Sequence, residues 1–327
     1  MHATNQTARR TSTAARNHNS NYLFFMTDPI DFKTTMAFAY GTAAPMSPGV
    51  VRVVANNPGP FTFRGTNTYL VGTSQLGVVD PGPDDPQHID AILAAANGRP
   101  ITHIFITHAH RDHIDGAPRL AAATGARTYA HTRSQSAVAT LASSPSGTMF
   151  VNDTFAADVD VAPGDRIATS EWALEAIHTP GHAPDHLCFA LEGRQIVFSG
   201  DHVMAWNTSV VAPPEGRMAD YLASLELLLE RNDRLYLPGH GGRLEQPQRM
   251  VKAYLIHRRM REHEILQTIA AGSTSIQEIV PVVYRGLESR LLPAAALSVL
   301  AHVEHLVDRG LVVCEGSLAS SHVLSQV

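Results

Sequence analysis

The chain has 327 residues, 44% of them hydrophobic, and a formal net charge of −5. That length allows one large domain and a smaller one, and the acidic balance gives no overall basic footprint for nucleic acid. Two cysteines far apart in sequence, Cys188 and Cys314, exclude a disulfide scaffold and a cysteine-based zinc finger.

Residues 1–35 read as a disordered leader, with Met26 or Met36 as an alternative start. Up to about residue 26 the chain is polar, with Arg9, Arg10 and Arg16 and no acid before Asp28. With a disordered leader a cytoplasmic location is expected; transit peptides share the Arg-rich, acid-poor character, which gives the mitochondrial matrix as the alternative. The patch Tyr22 to Phe25 is too short for a secretory core. No apolar run approaches the roughly 20 residues that cross a bilayer, and no membrane contact is expected.

Residues 36–248 mix strands and helices. Val50–Val54 reads as a strand. After a Pro- and Gly-punctuated loop, Thr68–Val71 and Gly77–Asp80 pair as a hairpin. Pro86 opens a helix through Ala95, in the first-turn position that proline favours. The apolar run Ile101–Ile106 is a buried strand. A helix follows to about Ala123, then a short strand at Arg127–Ala130. Residues 131–160 are poorly patterned, and Ser143–Gly147 is an exposed loop. Further strands are expected at Trp172–Ile177, Leu187–Leu191, Gln195–Ser199 and Leu235–Leu237, with an apolar-striped helix at Tyr221–Glu230.

Residues 249–327 differ in character. A long helix at Met250–Ile269 precedes helices at Ser275–Val283 and Leu292–Arg309 and a short strand at Gly310–Val313, which together suggest a winged helix. Between Val251 and Val327 seven basic residues meet seven acidic ones. A neutral module gives weak support to a nucleic-acid grip; a structural role or a homodimer interface fits as well. His257, His263, His302 and His305 in this part read as surface or interface residues.

The suspicious polar clusters all fall at strand ends, where functional loops sit. The densest is Thr107-His108-Ala109-His110-Arg111-Asp112-His113. On extended backbone His108 and His110 point the same way and can grip one ion. Asp112 and His113 lie just beyond and suit a second. Crowding such residues on one loop has no packing purpose and costs desolvation. Three further stretches supply His182, Asp201 and His240. This reading gives His108, His110 and His182 to a first ion, Asp112, His113 and His240 to a second, and makes Asp201 the bridge. Asp112 is also the catalytic candidate, placed to orient the attacking water. Imidazole and carboxylate donors point to two zinc ions, with manganese or iron as alternatives. Two ions about 3.5–4 Å apart acidify a water and clamp an oxyanion.

Around these, Asp80 is expected to buttress the histidine loop, and His186 and His202 to orient Asp201 or His182 by hydrogen bonds. Asn67 and Tyr69 share one strand face and are expected to line the substrate cleft. Cys188 reads as core.

The strings Thr107–His113, Thr179-Pro180-Gly181-His182, Ser199-Gly200-Asp201 and Pro238-Gly239-His240-Gly241 together resemble the metallo-β-lactamase fold superfamily, in that family's order, across roughly residues 50 to 245. The resemblance implies an α+β fold, a four-layer αββα sandwich with metals at the edge between two sheets. Asn57–Pro60, Gly65–Val71 and the C-terminal winged helix resemble, more narrowly, the β-lactamase-like protein 2 group, which includes a single-strand-selective endoribonuclease. The departures matter. Common class B β-lactamases carry a cysteine where Asp201 stands and lack a histidine at 113, so antibiotic hydrolysis is not the expected role. Oxygen-reducing di-iron relatives have a glutamate at the position of His110, so hydrolysis is expected instead. Ala183 replaces a frequent threonine, with little consequence expected. Neither the substrate arm of tRNA-processing relatives nor the extra domain of mRNA-cleaving ones is visible.

The expected function is a binuclear metal-dependent hydrolase. One reading is a phosphodiesterase on single-stranded RNA, another a small-molecule thioester or lactone hydrolase, and a third a regulatory binding module with a silent site. The complete donor set speaks against the third.

Overall fold

Short apolar strands alternating with turn residues dominate the first 240 residues, and they assemble into two packed sheets. A computed structural model describes residues 30–132, 151–317 and 321–327. The first sheet is ordered β1 (Ala44–Ser47), β2 (Val50–Val54), β3 (Asn67–Val71), β4 (Leu76–Val79), β5 (Ile101–Phe105), β6 (Arg127–Ala130) and β7 (Val159–Asp160). It begins as an antiparallel meander and turns parallel from β4 onward. Parallel pairing needs crossovers. The β4–β5 crossover contains α1 (Pro86–Ala96), and the β5–β6 crossover contains α2 (Arg111–Ile114) and α3 (Ala117–Thr124). Asp85 caps α1 by accepting from the Gln87 N–H, next to Pro86 at the first turn.

The second sheet is ordered β12 (Leu235–Pro238), β11 (Ile196–Gly200), β10 (Leu187–Leu191), β9 (Ala173–His178) and β8 (Arg166–Ala168), with only β11 and β12 parallel. Alternation puts Tyr69, Val79 and Phe105 of one sheet against Leu174, Phe189, Phe198 and Leu237 of the other, forming the inter-sheet core. Val53, Leu70, Val78 and Ile104 face the opposite way and pack on Ile89 and Ile92 of α1 and Leu120 of α3. On the far side of the second sheet, α4 (Met218–Leu229) is tied down where Ser224 Oγ donates to the Pro180 carbonyl at 2.8 Å. The order is therefore helix, sheet, sheet, helix.

The C-terminal part starts with the long helix α5 (Pro247–Ala270) and continues through α6 (Ile276–Val283), α7 (Leu292–Asp308) and the hairpin β13 (Val312–Ser317) and β14 (Ser321–Gln326). Its own core joins Ile265 and Ile269 of α5 to Ile279, Val299, Val303 and Leu306. One stretch here, Ser289–Asp308, is long and apolar enough to cross a bilayer by composition, with a mean hydropathy of 1.3. The sequence reading expected no such run. Val299, Val303 and Leu306 spend that apolarity inside this core.

Several edges differ from expectation. β1, β7 and β8 were not anticipated: they are sheet-edge or near-edge strands of 4, 2 and 3 residues, partly exposed, and carry almost no periodic signal. The last strand is half of a hairpin. Of the expected leader, residues 1–29 lie outside the described residues, as does the loop Ser143–Gly147. Residues 30–35 are described, and the Lys33 N–H donates to the Ala205 carbonyl at 2.9 Å.

Candidate metal centre

Five strands end at one edge of the sandwich and deliver the polar clusters there. β5 leads to the 107–113 string, β9 to His182, β11 to Asp201, β12 to His240, and β4 to Asp80. His110 caps α2, so Asp112 and His113 sit in one helical turn rather than on an open loop. That turn separates them from the extended His108 and His110 and aims them toward a different point.

Seven side chains converge. The donor atoms of His108, His110 and His182 lie within 4.8 Å of one another, as do those of His108, His113 and Asp201 and those of Asp112, His113 and His240. His110 Nδ1 is 2.9 Å from His108 Nε2 and 3.1 Å from His182 Nε2. His113 Nε2 is 3.2 Å from His240 Nε2. Asp112 Oδ2 lies 3.4 Å from His113 Nε2 and 3.3 Å from His240 Nε2. Asp201 Oδ2 is 3.3 Å from His240 Nε2 and 3.8 Å from His182 Nε2.

Each ring has its other nitrogen committed outward. His108 Nδ1 donates to Thr107 Oγ1 (3.0 Å), His113 Nδ1 to Asp80 (2.9 Å), His182 Nδ1 to the Val210 carbonyl (2.6 Å), His240 Nδ1 to the Gly65 carbonyl (3.3 Å), and His110 Nε2 to Glu215 (2.9 Å). These partners assign the tautomers. They leave five imidazole lone pairs facing one another, an arrangement that only a cation between them stabilises. Asp201 Oδ1 is buried and has no hydrogen-bond partner. Neutral imidazoles, carboxylates and an unsatisfied buried carboxylate oxygen fit divalent cations.

The charge balance runs the same way. Burial opposes protonation of His113, yet the carboxylates of Asp112, Asp201 and Asp80 outweigh it and raise its pKa well above the usual imidazole value. His240 rises to about 9, again against burial, through Asp201 and Asp112. His182 falls to about 4 through burial and the neighbouring His110. Burial also pushes His108 down, reinforced by His113, His110 and His182. Despite their own burial, Asp112 and Asp201 are held well below the carboxylate range by His113 and His240. Carboxylates therefore demand positive charge at the His113–His240 side.

Asp80 is the outer anchor. Its backbone adopts a left-handed φ of 52°, a strained conformation for this residue. Oδ1 accepts the Thr107 N–H and Oδ2 the Thr107 hydroxyl, both at 2.8 Å, besides the His113 ring. His186 accepts the Asp201 N–H at Nε2 (3.1 Å) and bonds Thr179 Oγ1 at Nδ1 (2.8 Å). Glycine is required at Gly200, where a Cβ would lie 2.5 Å from His186 Nε2, and at Gly239, where it would lie 2.5 Å from Asp201 Oδ1.

Three expectations need correction. His202 makes no hydrogen bond through its ring. The turn after β11 swings it away from Asp201 and His182 and packs it on Tyr221, ring centroids 4.6 Å apart. Asn67 and Tyr69 do not line a cleft. Both are buried beneath the 238–241 loop: the Asn67 amide donates to the Pro238 (2.8 Å) and Gly241 (2.9 Å) carbonyls, and the Tyr69 hydroxyl to Pro238 (2.8 Å). Period-two alternation gave their shared face correctly but not whether it met solvent or a loop.

Four contributors have no role in the sequence reading, although Asn57 and Thr66 lie in its strings Asn57–Pro60 and Gly65–Val71. Glu215 comes from the proline-rich stretch 211–217, and Asp185 accepts the Ala109 N–H at 3.0 Å. Thr66 Oγ1 donates to Asp112 Oδ2 at 2.9 Å, and Asn57 brackets Thr66, donating to its hydroxyl (3.0 Å) and accepting its N–H (2.9 Å).

The Metallo-beta-lactamase superfamily matches residues 61–240, and the Beta-lactamase associated winged helix domain matches residues 275–320. The chain is similar to an atrochrysone carboxyl ACP thioesterase of Aspergillus chevalieri, 31% identical over 250 residues that cover 73% of this chain and 74% of the relative. It is similar to a Beta-lactamase-like protein 2 homolog of Drosophila melanogaster, 30% identical over 281 residues covering 81% and 90%. Among solved structures, a beta-lactamase domain protein from Burkholderia ambifaria shares the fold with a TM-score of 0.76 at 22% identity, covering 91% of this chain and 97% of that one.

Proposed function

The chain belongs to the metallo-beta-lactamase superfamily, and we propose that it is a binuclear hydrolase of acyl thioesters. The observation that carries this reading is the set of five imidazoles with every outer nitrogen committed and every inner lone pair converging beside Asp112 and Asp201. His108, His110 and His182 would hold one ion, Asp112, His113 and His240 the other, with Asp201 between; the donor set suits zinc. Such ions supply an acidified water and positive charge for a developing oxyanion.

The chain's own groups do the rest. Thr66, fixed by Asn57, holds Asp112 Oδ2 and leaves the second carboxylate oxygen to orient the attacking water and accept its proton. Glu215 and Val210 fix the rings of His110 and His182. With both nitrogens of all five rings engaged, none of them stays as a protonated imidazole for a leaving alkoxide. A thiol, with an unperturbed pKa near 8.5, departs as thiolate without one. The thiolate takes up the proton that Asp112 accepted, and the products are a carboxylate and a thiol. The name of the Aspergillus relative supports thioester chemistry.

A second reading, phosphodiester cleavage in single-stranded RNA, draws support from the winged helix and from the likeness to the Drosophila homologue. Zinc-loaded full chain assayed on acyl-CoA and acyl-pantetheine thioesters and on a single-stranded RNA oligonucleotide separates the two. Thioester hydrolysis lost in Asp112→Asn and His110→Ala is expected. RNA cleavage lost in those variants, with the thioesters untouched, would replace this reading with the second.

A further inference from the structure

The loop that carries Asp201 and Val210 is held from outside the sandwich, by α5. Residues 254, 258 and 262 recur every four positions and so lie along one stripe of that helix, and all three are buried. The Tyr254 hydroxyl accepts the Met204 N–H (3.3 Å), donates to the Met204 carbonyl (2.7 Å) and touches the Asn207 carbonyl. Arg258, 3% exposed, donates to the Ser209 carbonyl. The Ser209 hydroxyl donates in turn to the Asp201 carbonyl. The next carbonyl, Val210, is the one that fixes the His182 ring. Arg258 is therefore one residue from the acceptor of His182 and one hydrogen bond from the backbone of Asp201.

A buried guanidinium is costly unless paired. Among the described residues, no carboxylate stands at ion-pair distance from this one. Its guanidinium lies 5.2 Å from the centroid of the Tyr221 ring, whose hydroxyl donates to the His202 carbonyl at 2.9 Å. An apolar side chain would fill the same volume more cheaply, so the charge has a use other than packing. Its contacts, the Ser209 carbonyl and the Tyr221 ring, both hold the 201–210 segment.

Four residues further along α5, Glu262 turns to the winged helix. Its carboxylate meets His305 Nδ1 at 2.5 Å and Arg309 Nη1 at 3.1 Å. One stripe thus grips the metal loop at one end and α7 at the other.

We propose that Arg258 is a positioning residue for the metal centre: through Ser209 and Val210 it sets the placement of Asp201 and His182. This rests on the binuclear reading above. The test compares the full-length wild type with Arg258→Met, Arg258→Lys, Ser209→Ala and Glu262→Gln. Zinc affinity is read by chelator competition, kcat and KM on the active thioester at several free zinc concentrations, and folding by melting temperature. Arg258→Met is expected to weaken zinc binding by about tenfold or more and to lower kcat with KM little changed, with activity recovering as free zinc is raised. Arg258→Lys should regain part of the affinity. Ser209→Ala, which leaves α5 intact, should shift affinity the same way by less, and it decides the matter if Arg258→Met does not fold. Glu262→Gln should lower the melting temperature while zinc affinity stays within about twofold. Wild-type zinc affinity in folded Arg258→Met, or in Ser209→Ala if that variant alone folds, would overturn the proposal. Absence of stoichiometric zinc in the wild type would instead overturn the binuclear reading.

Discussion

Glu215 Oε2 accepts from His110 Nε2 at 2.9 Å across 105 residues of sequence, and so turns the other nitrogen of that ring inward to His108 and His182. The contact orients a ring that sits on the open side of the cluster, where the side chains of His110 and Glu215 are 14% and 13% exposed. Substituting Glu215 by Ala frees the ring to flip. Zinc affinity is expected to fall roughly 10- to 100-fold, the usual effect of losing an outer partner of a ligating histidine. Competition with a chromophoric chelator reads it; unchanged affinity would remove Glu215 from the site.

The buried positions of Asn67 and Tyr69 separate support from recognition. Tyr69→Phe removes one buried hydrogen bond to Pro238. The expected cost is about 1 kcal/mol of stability, read by urea unfolding, with KM unchanged. A raised KM at unchanged stability would return Tyr69 to the substrate cleft.

Gly239 has no room for a side chain. A Cβ there would stand 2.5 Å from Asp201 Oδ1 and 2.6 Å from His113 Cε1. Gly239→Ala is therefore expected to lose most bound metal while keeping the far-ultraviolet circular dichroism of the wild type, because the clash falls on donors and not on the core. Full metal content in this variant would refute the packing argument.

Acid should loosen the module junction. Burial works against ionisation of Glu262, but His302 and His305 outweigh it and lower its pKa. Stability from that ionised carboxylate is present above its ordinary pKa and is lost as pH falls through the lowered one. Burial brings His302 down to about 4. Below the ordinary imidazole value near 6.5 the unfolded chain gains a proton that the folded chain refuses, so stability drops from there toward pH 4. The two signs agree. Urea midpoints should fall steadily from pH 7 to about pH 3, and Glu262→Gln should remove the part of the slope below the ordinary glutamate value of 4.5. A flat profile would contradict this.

Much of the centre was legible because the donors cluster in short strings at strand ends, and apolar runs such as Ile101–Ile106 mark those strands by themselves. Glu215 was not legible: it is one carboxylate in a proline-rich loop, and only the tertiary fold brings it to His110. Arg258 was hidden for the opposite reason, since a charged residue in a mixed-charge helix reads as solvated. The error at His202 came from adjacency to Asp201, which a turn undoes within one residue. Asn67 and Tyr69 failed because both faces of a strand in a sandwich are buried, so alternation names a side without naming what covers it.

The central claim is that distant segments build one centre for two ions, and zinc stoichiometry tests it most directly. Chain stripped with chelator, reloaded and desalted should carry two zinc ions per chain by elemental analysis. His182→Ala and His240→Ala, folded to the same extent, should each carry one. Two ions retained in either variant, or fewer than two in the wild type, would contradict the account.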